Sequence, residues 1–187
     1  MNLIGTKKLT TKRLLLKPQT MNEQKRLWEI LCNSEVNKYY LTSKFGFNWS
    51  EQEKYYKKKI SKANNNDVFI WSVFLKDNNI CIGQVSVQEN SDSSNVAIRD
   101  IGYYIDPIYQ GKGYGYEAVK EILDYMFNKV NILEIQTSVA PQNIASWKLL
   151  EKIGFKKNGK NIKVKYTYVL KPIKNNCYVI TKDDINK

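Results

Sequence analysis

Residues 109–116 read YQGKGYGY, and they join two segments of opposite periodicity. Before them, DIGYYIDP has the character of a strand. After them, EAVKEILDYMF places Ala118, Val119, Ile122, Leu123 and Met126 on one helical stripe. The chain must therefore turn from a strand into a helix within a few residues. Gly111, Gly113 and Gly115 permit that turn and let the backbone approach another molecule closely. N–H groups at a helix start have no intrahelical carbonyl to bond. The junction is thus a candidate cradle for a phosphate-bearing ligand.

Two common phosphate-binding designs do not fit. A dinucleotide fingerprint follows an early strand in a βαβ unit and has an acidic residue about 20 positions later. Here several strand segments precede Gly111: TKRLLLK over 11–17, VFIWSVFL over 68–75, ICIGQVSVQ over 80–88 and VAIRDIGYYIDP over 96–107. No G-x-x-x-x-G-K-[ST] string is present either. Asp77-Asn78-Asn79 marks a hairpin between the second and third of these strands, and Asn64–Asp67 marks a turn before them.

The remaining elements follow from spacing and caps. Asn22 is expected to cap a helix carrying Leu27, Trp28, Ile30 and Leu31. The SKFGFNWS stretch over 43–50 reads as a loop. Ser50 and Glu53 resemble a capping box opening a second helix, with Tyr56 and Ile60 on one face. Beyond the glycine junction, LEIQTSV alternates as a strand, Asn143 precedes the helix IASWKLLEKI, and Gly154 is placed to end it. VKYTYVLKP over 164–172 and NCYVIT over 176–181 close the chain as one or two strands. The expected fold class is α+β: a single domain over 1–187, with a mixed, largely antiparallel central sheet flanked by helices.

Composition narrows the chemistry. There is no histidine, which excludes histidine triads and a histidine general base. Cys32, Cys81 and Cys177 are widely separated and offer no metal-ligand spacing, so no metal is expected. The net charge is +12. Its lysines are spread along the chain without a helix-turn-helix or RNA-binding signature, so no stable nucleic-acid binding is expected. The charge suits an anionic cofactor or approach to an acidic assembly. No apolar run approaches the roughly 18 residues of a membrane span, and the N-terminus lacks a signal-peptide order. A soluble cytoplasmic protein without membrane partners is expected, and its oligomeric state is left open.

The pattern as a whole resembles the GCN5-related N-acetyltransferase (GNAT) family. Within it, the chain resembles the bacterial branch that includes the ribosomal-protein alanine acetyltransferases. The resemblance is carried by TKRLLLKP, IGQVSV, IGYYIDPIYQGKGYGYEAV, TSVAPQNIASWKLLEKIGFKKNG and NCYVITKDD, and covers about residues 8–184. The family's pyrophosphate motif, Q/R-x-x-G-x-G/A, is matched by Gln110, Gly113 and Gly115, with Gly111 at an open position. The implied cofactor is acetyl-CoA, as acetyl donor. Gln110, Gly111, Lys112, Gly113, Tyr114 and Gly115 would form or flank its cradle. Tyr103, Tyr104 and Ile105 would offer a strand edge to the pantetheine arm, with a backbone N–H, at Ile105, on the thioester carbonyl. Asn143 would help hold the arm, and Ser146 would protonate the leaving thiolate or orient a water that does so.

The implied reaction is direct attack by an amine in a ternary complex, governed largely by positioning and desolvation. Glu89 and Asp100 are the candidate carboxylates for orienting the amine and taking its proton. Residues 20–62, with Trp28, Tyr39, Tyr40, Phe45, Phe47 and Trp49, are expected to cover part of the acceptor site. The branch implies a protein N-terminal amine as acceptor, with ribosomal association. An aminoglycoside, polyamine or small metabolite amine is the alternative acceptor, and a noncatalytic acyl-CoA-binding module the alternative function.

Overall fold

The computed structural model describes residues 1–2, 4–40, 48–63, 69–91, 93–167 and 169–185. Its order is β1 (Leu9–Thr10), β2 (Leu14–Pro18), α1 (Gln24–Cys32), α2 (Ser34–Asn37), α3 (Trp49–Ala63), β3 (Phe69–Leu75), β4 (Cys81–Glu89) and β5 (Ile98–Ile105), followed by α4 (Tyr114–Tyr125), β6 (Glu134–Val139), α5 (Ile144–Ile153), β7 (Lys156–Val164), β8 (Ile173–Thr181) and α6 (Lys182–Ile185). Among the described residues the eight strands form one sheet in the order β1-β2-β3-β4-β5-β6-β8-β7. Every pairing is antiparallel except β5–β6. That parallel pair is joined by α4, because strands running the same way need a crossover between them. The fold is therefore the expected α+β arrangement with a mixed sheet and flanking helices.

Strand alternation sorts the side chains to two faces. Leu14, Leu16, Trp71, Val85, Val87 and Ile101 join Val119, Ile122 and Leu123 of α4 in the larger core. Leu27, Ile30 and Leu31 of α1 pack with Phe74, Cys81 and Tyr104 on the other side. Trp71 and Phe69 are fully buried, and each such side chain contributes about 1.5–3 kcal/mol. Gly83 sits where β4 leaves no room: an added Cβ would lie 2.2 Å from the Tyr104 carbonyl oxygen and 2.9 Å from Ile105 Cδ1. Gly83→Ala is expected to destabilise the fold by about 1–3 kcal/mol in urea titration, since the obstructing atom is backbone.

Several local expectations are corrected. Asn22 does not cap α1; Glu23 occupies that place. The backbone N–H and hydroxyl of Thr20 both donate to the Glu23 carboxylate at 2.7 Å, and Ser72 Oγ donates to it at 2.7 Å. The Glu23 side chain makes no capping bond to the helix; its carboxylate ties the turn before α1 to the sheet. Ser50 likewise lies inside α3, and the Asn48 carboxamide accepts from its N–H at 3.0 Å and its hydroxyl at 2.8 Å. Most of the SKFGFNWS loop and the Asn64–Asp67 turn lie outside the described residues. The first closing strand is Lys156–Val164, so among the described residues of VKYTYVLKP only Val164 belongs to it. β7 is the outermost strand and exposed on both faces, so its sequence carries no apolar alternation to reveal it.

Candidate active site

The sheet opens along one seam. β5 and β6 pair only over Ile98–Asp100 and Glu134–Gln136. Beyond that point β5 stays on β4 through Ile105, and β6 stays on β8 through Val139. Their facing edges, Ile101–Ile105 and Thr137–Val139, line a cavity of about 1340 Å³. The Asp106 N–H is spent on Ile82 of the β4 side at 2.8 Å. Alternation of the backbone then turns the N–H groups of Ile105 and Tyr103 toward the seam. A buried edge of this kind is a receptor for an extended, amide-bearing chain.

The glycine junction stands at the mouth of the seam. Gly111 and Gly113 have φ of 73° and 81°, a region that favours glycine, and Gly113 is the N-cap of α4. The Gln110 Nε2 donates to the Ile105 carbonyl at 2.7 Å, tying the loop to the strand. Arg13, which the sequence gives no reason to single out, clamps the loop from outside. Its Nη1 donates to the Lys112 carbonyl at 2.9 Å, its Nε to Glu117 at 2.6 Å, and its guanidinium lies 4.4 Å from the Tyr114 ring centroid. Burial acts to raise the Glu117 carboxyl, but hydrogen bonds from Thr11 and Arg13 outweigh it and hold it below the ordinary range. Gly115 lets α4 approach α5: an added Cβ would stand 3.1 Å from Leu149 Cδ1. Lys112 points elsewhere, donating to the Ile108 carbonyl at 3.0 Å.

Across the seam lies the start of α5. Asn143 is its N-cap, yet its side chain makes no capping bond; its carbonyl accepts from Ser146 and Trp147 instead. The carboxamide is therefore not used to close the helix, and Asn143 lines the cavity. Ser146 Oγ and Tyr103 Oη are 2.9 Å apart. Burial pushes the Tyr103 hydroxyl up to about 12, with the Ser146 contact acting weakly the other way. Tyr103 therefore remains a neutral hydroxyl at physiological pH. Tyr103 and Ser146 together form a hydroxyl pair facing the seam, a pairing of residues 43 positions apart that spacing does not reveal.

The cavity continues onto the α1–α3 side. Tyr104 and Tyr40 meet edge to face at 4.9 Å, and Gly102 opens the floor beneath Tyr40. Burial pushes the Tyr40 hydroxyl up to about 12, against hydrogen bonds from Ser86 and Gln84. Tyr39, Tyr55, Tyr56 and Tyr166 complete a tyrosine-rich wall, with Tyr39 and Tyr166 edge to face at 6.0 Å. Trp28 and Trp49 instead pack on each other at 5.5 Å, while Phe45 and Phe47 lie outside the described residues. Glu89 lines the cavity with a 74% exposed side chain, 3.9 Å from the buried Arg99 guanidinium. Asp100 is held by Asn90 at 2.7 Å and is not among the lining residues. Of the two carboxylates, then, Glu89 is the one brought to the cavity. Among the described residues no helix is long and apolar enough to cross a membrane, and no group of three or more His, Cys, Asp or Glu is placed to hold a metal ion.

Comparison with known proteins gives a consistent result. Residues 13–156 match the family model of the acetyltransferase (GNAT) domain. The chain is 31% identical over 151 residues to the uncharacterized N-acetyltransferase YnaD of Bacillus subtilis (strain 168), covering 81% of this chain and 84% of that one. Its fold is similar to that of spermidine N-acetyltransferase from Vibrio cholerae in complex with CoA and spermine: TM-score 0.79, 20% identity, 95% and 100% of the two chains covered. It is similar in the same degree to ribosomal-protein-S5-alanine acetyltransferase from Vibrio fischeri: TM-score 0.78, 22% identity, 95% and 98% covered. Similarity of fold at that identity does not separate the two acceptor classes.

Proposed function

The chain belongs to the GNAT acetyltransferase family, and on that premise we propose that its acceptor is the N-terminal amine of a protein. The coarser activity is that of the family: acetyl-CoA-dependent acyl transfer to an amine. The chain's own residues fit such a donor. The open β5 edge suits the amides of a pantetheine arm, and the glycine junction at the start of α4 suits its pyrophosphate. Bound there, acetyl-CoA supplies an acetyl group activated as a thioester. In our reading the Ile105 N–H donates to the acyl oxygen, where negative charge grows. Gln110 fixes that strand end through the Ile105 carbonyl. Asn143 steadies the arm, and Ser146, held by Tyr103, delivers a proton to the departing thiolate. Glu89 stands opposite Arg99, six residues along β5 from Ile105, so in this reading it takes the amine's proton through a chain of waters and not directly.

One observation carries the acceptor assignment: the scarcity of carboxylates. Among the described lining residues the only acids are Glu35 and Glu89. A polyamine or aminoglycoside brings several ammonium groups, each wanting a partner on desolvation. A protein terminus brings one. It is also the easier nucleophile where the candidate base is a single exposed carboxylate. An α-amine has a pKa of about 8 against about 10.4 for an alkylamine, so the neutral fraction near pH 7 is roughly a few hundredfold larger. A panel assay with labelled acetyl-CoA tests the assignment. Peptides with free N-termini are expected to give kcat/KM at least tenfold above spermidine, kanamycin and N-blocked lysine peptides. A polyamine or aminoglycoside at the head of the panel would overturn it.

A further inference from the structure

Between residues 155 and 182 the chain has eight lysines and no Asp or Glu. The sheet gathers several of them on the β7–β8 ribbon at the edge remote from the glycine junction. Lys163 and Lys174 are directly opposed across the two strands, and Asn161 and Asn176 form a neighbouring opposed pair. Like charges opposite one another destabilise a sheet unless something neutralises them. Beside these pairs lies a shallow groove of about 640 Å³ lined by Gln142, Asn161, Lys171, Lys174 and Asn176, with no carboxylate among its described residues. Lys160, Lys163, Lys171 and Lys174 are exposed, and none pairs with a carboxylate among the described residues. Lysines commonly protect an edge strand from unwanted pairing. That role accounts for those on β7. It does not account for Lys171, which lies in the loop before β8.

We propose that this ribbon and groove form a docking surface for double-stranded RNA. Lysines neutralise phosphates, and the opposed amides add donors and acceptors in line with them. The minor groove of A-form RNA is wide and shallow and displays 2′-hydroxyls beside the phosphates, which matches lysines interleaved with amides. A membrane surface fits less well. Among the described residues the large apolar side chains exposed on the ribbon are Leu170 and Ile162, far short of an inserting face. The linear sequence conceals the surface because its lysines are separated by β7, the hairpin and the start of β8. Only the pairing register sets them side by side. The surface is distinct from the acetyl-transfer cavity: none of Lys163, Lys171 and Lys174 lines that cavity.

The test is fluorescence anisotropy with a labelled 16-base-pair RNA duplex and a DNA duplex of the same sequence, at 50 and 200 mM salt. The RNA duplex is expected to bind at least tenfold tighter than DNA at 50 mM salt. The K163Q/K174Q double variant should lose at least tenfold in RNA affinity and flatten the salt slope by about 2, one for each phosphate contact removed. N161A/N176A should narrow the preference for RNA over DNA. Acetylation of a small amine and the Tm should not fall in K163Q/K174Q, which separates loss of docking from loss of fold. Absence of RNA binding at 50 mM salt would overturn the proposal. So would equal binding of DNA, or an equal loss in the distant control K7Q/K8Q, which would mark a general charge effect. Preferential binding to vesicles containing phosphatidylserine would reassign the surface to a membrane.

Discussion

Gly113→Val is expected to weaken acetyl-CoA binding at least tenfold in isothermal calorimetry, with the protein still folded. Gly113 holds φ at 81° as the N-cap of α4, where the first-turn N–H groups emerge. A β-branched residue in that region costs of order 1–3 kcal/mol, and the backbone relaxes to avoid it. Relaxation swings the N–H groups away from the position a pyrophosphate would take. Each 1.4 kcal/mol lost corresponds to a tenfold rise in Kd. The added side chain also meets Arg13 Nη2, 3.4 Å from the Cβ position, and loosens the clamp on the Lys112 carbonyl. Gly159 supplies a matched control. Its φ is 79°, nothing stands within 4 Å of its Cβ position, and it lies in β7 away from the cavity. Gly159→Val should carry a similar backbone strain yet leave the Kd within about twofold. An unchanged Kd in Gly113→Val would remove the junction from the donor site.

Ser146→Ala is expected to reduce kcat for acetyl transfer at least tenfold, with little change in the Kd for acetyl-CoA. A positioned proton donor contributes about 10²–10⁴ in rate, and water recovers part of that when the donor is removed. The 2.9 Å contact makes Tyr103 the positioning residue. Tyr103→Phe should therefore lower kcat in the same direction but less deeply, because Ser146 remains. The pH profile distinguishes this arrangement from one in which an ordinary tyrosine does the work. The Tyr103 hydroxyl is held up to about 12 by burial, so its proton is retained well past 10. No alkaline loss of rate near pH 10 should trace to this side chain. Ser146→Ala with unchanged kcat and kcat/KM would reject the role.

The parts legible in sequence are those whose side chains report on burial. The run that became β3 is apolar almost throughout because both faces are covered, and α4 shows its stripe because one face packs on the sheet. The glycine junction was legible because only special backbone geometry requires such a run. β7 was not, since a strand exposed along nearly its whole length leaves no periodic trace of burial. The caps at Glu23 and Asn48 were missed because their partners are chosen by tertiary geometry, as Ser72 is for Glu23. Within the site, Asn143 and Ser146 were visible as a spaced pair, whereas the Tyr103–Ser146 contact and the Arg13 clamp join residues 43 and 99 or more positions apart. The opening between β5 and β6 depends on where two strands part company, and nothing in either strand alone records that point.

The short β5–β6 pairing has a mechanical meaning. It divides the sheet into two leaves, β1–β5 and β6–β8–β7, joined like covers of a book along three residue pairs. Across the open end, α4 and α5 form the brace, and a Cβ on residue 115 would stand 3.1 Å from Leu149 Cδ1. Gly115 is thus a spacer of zero thickness. Its missing side chain sets how nearly the two covers can shut, and so the gauge of the slot into which the donor must slide.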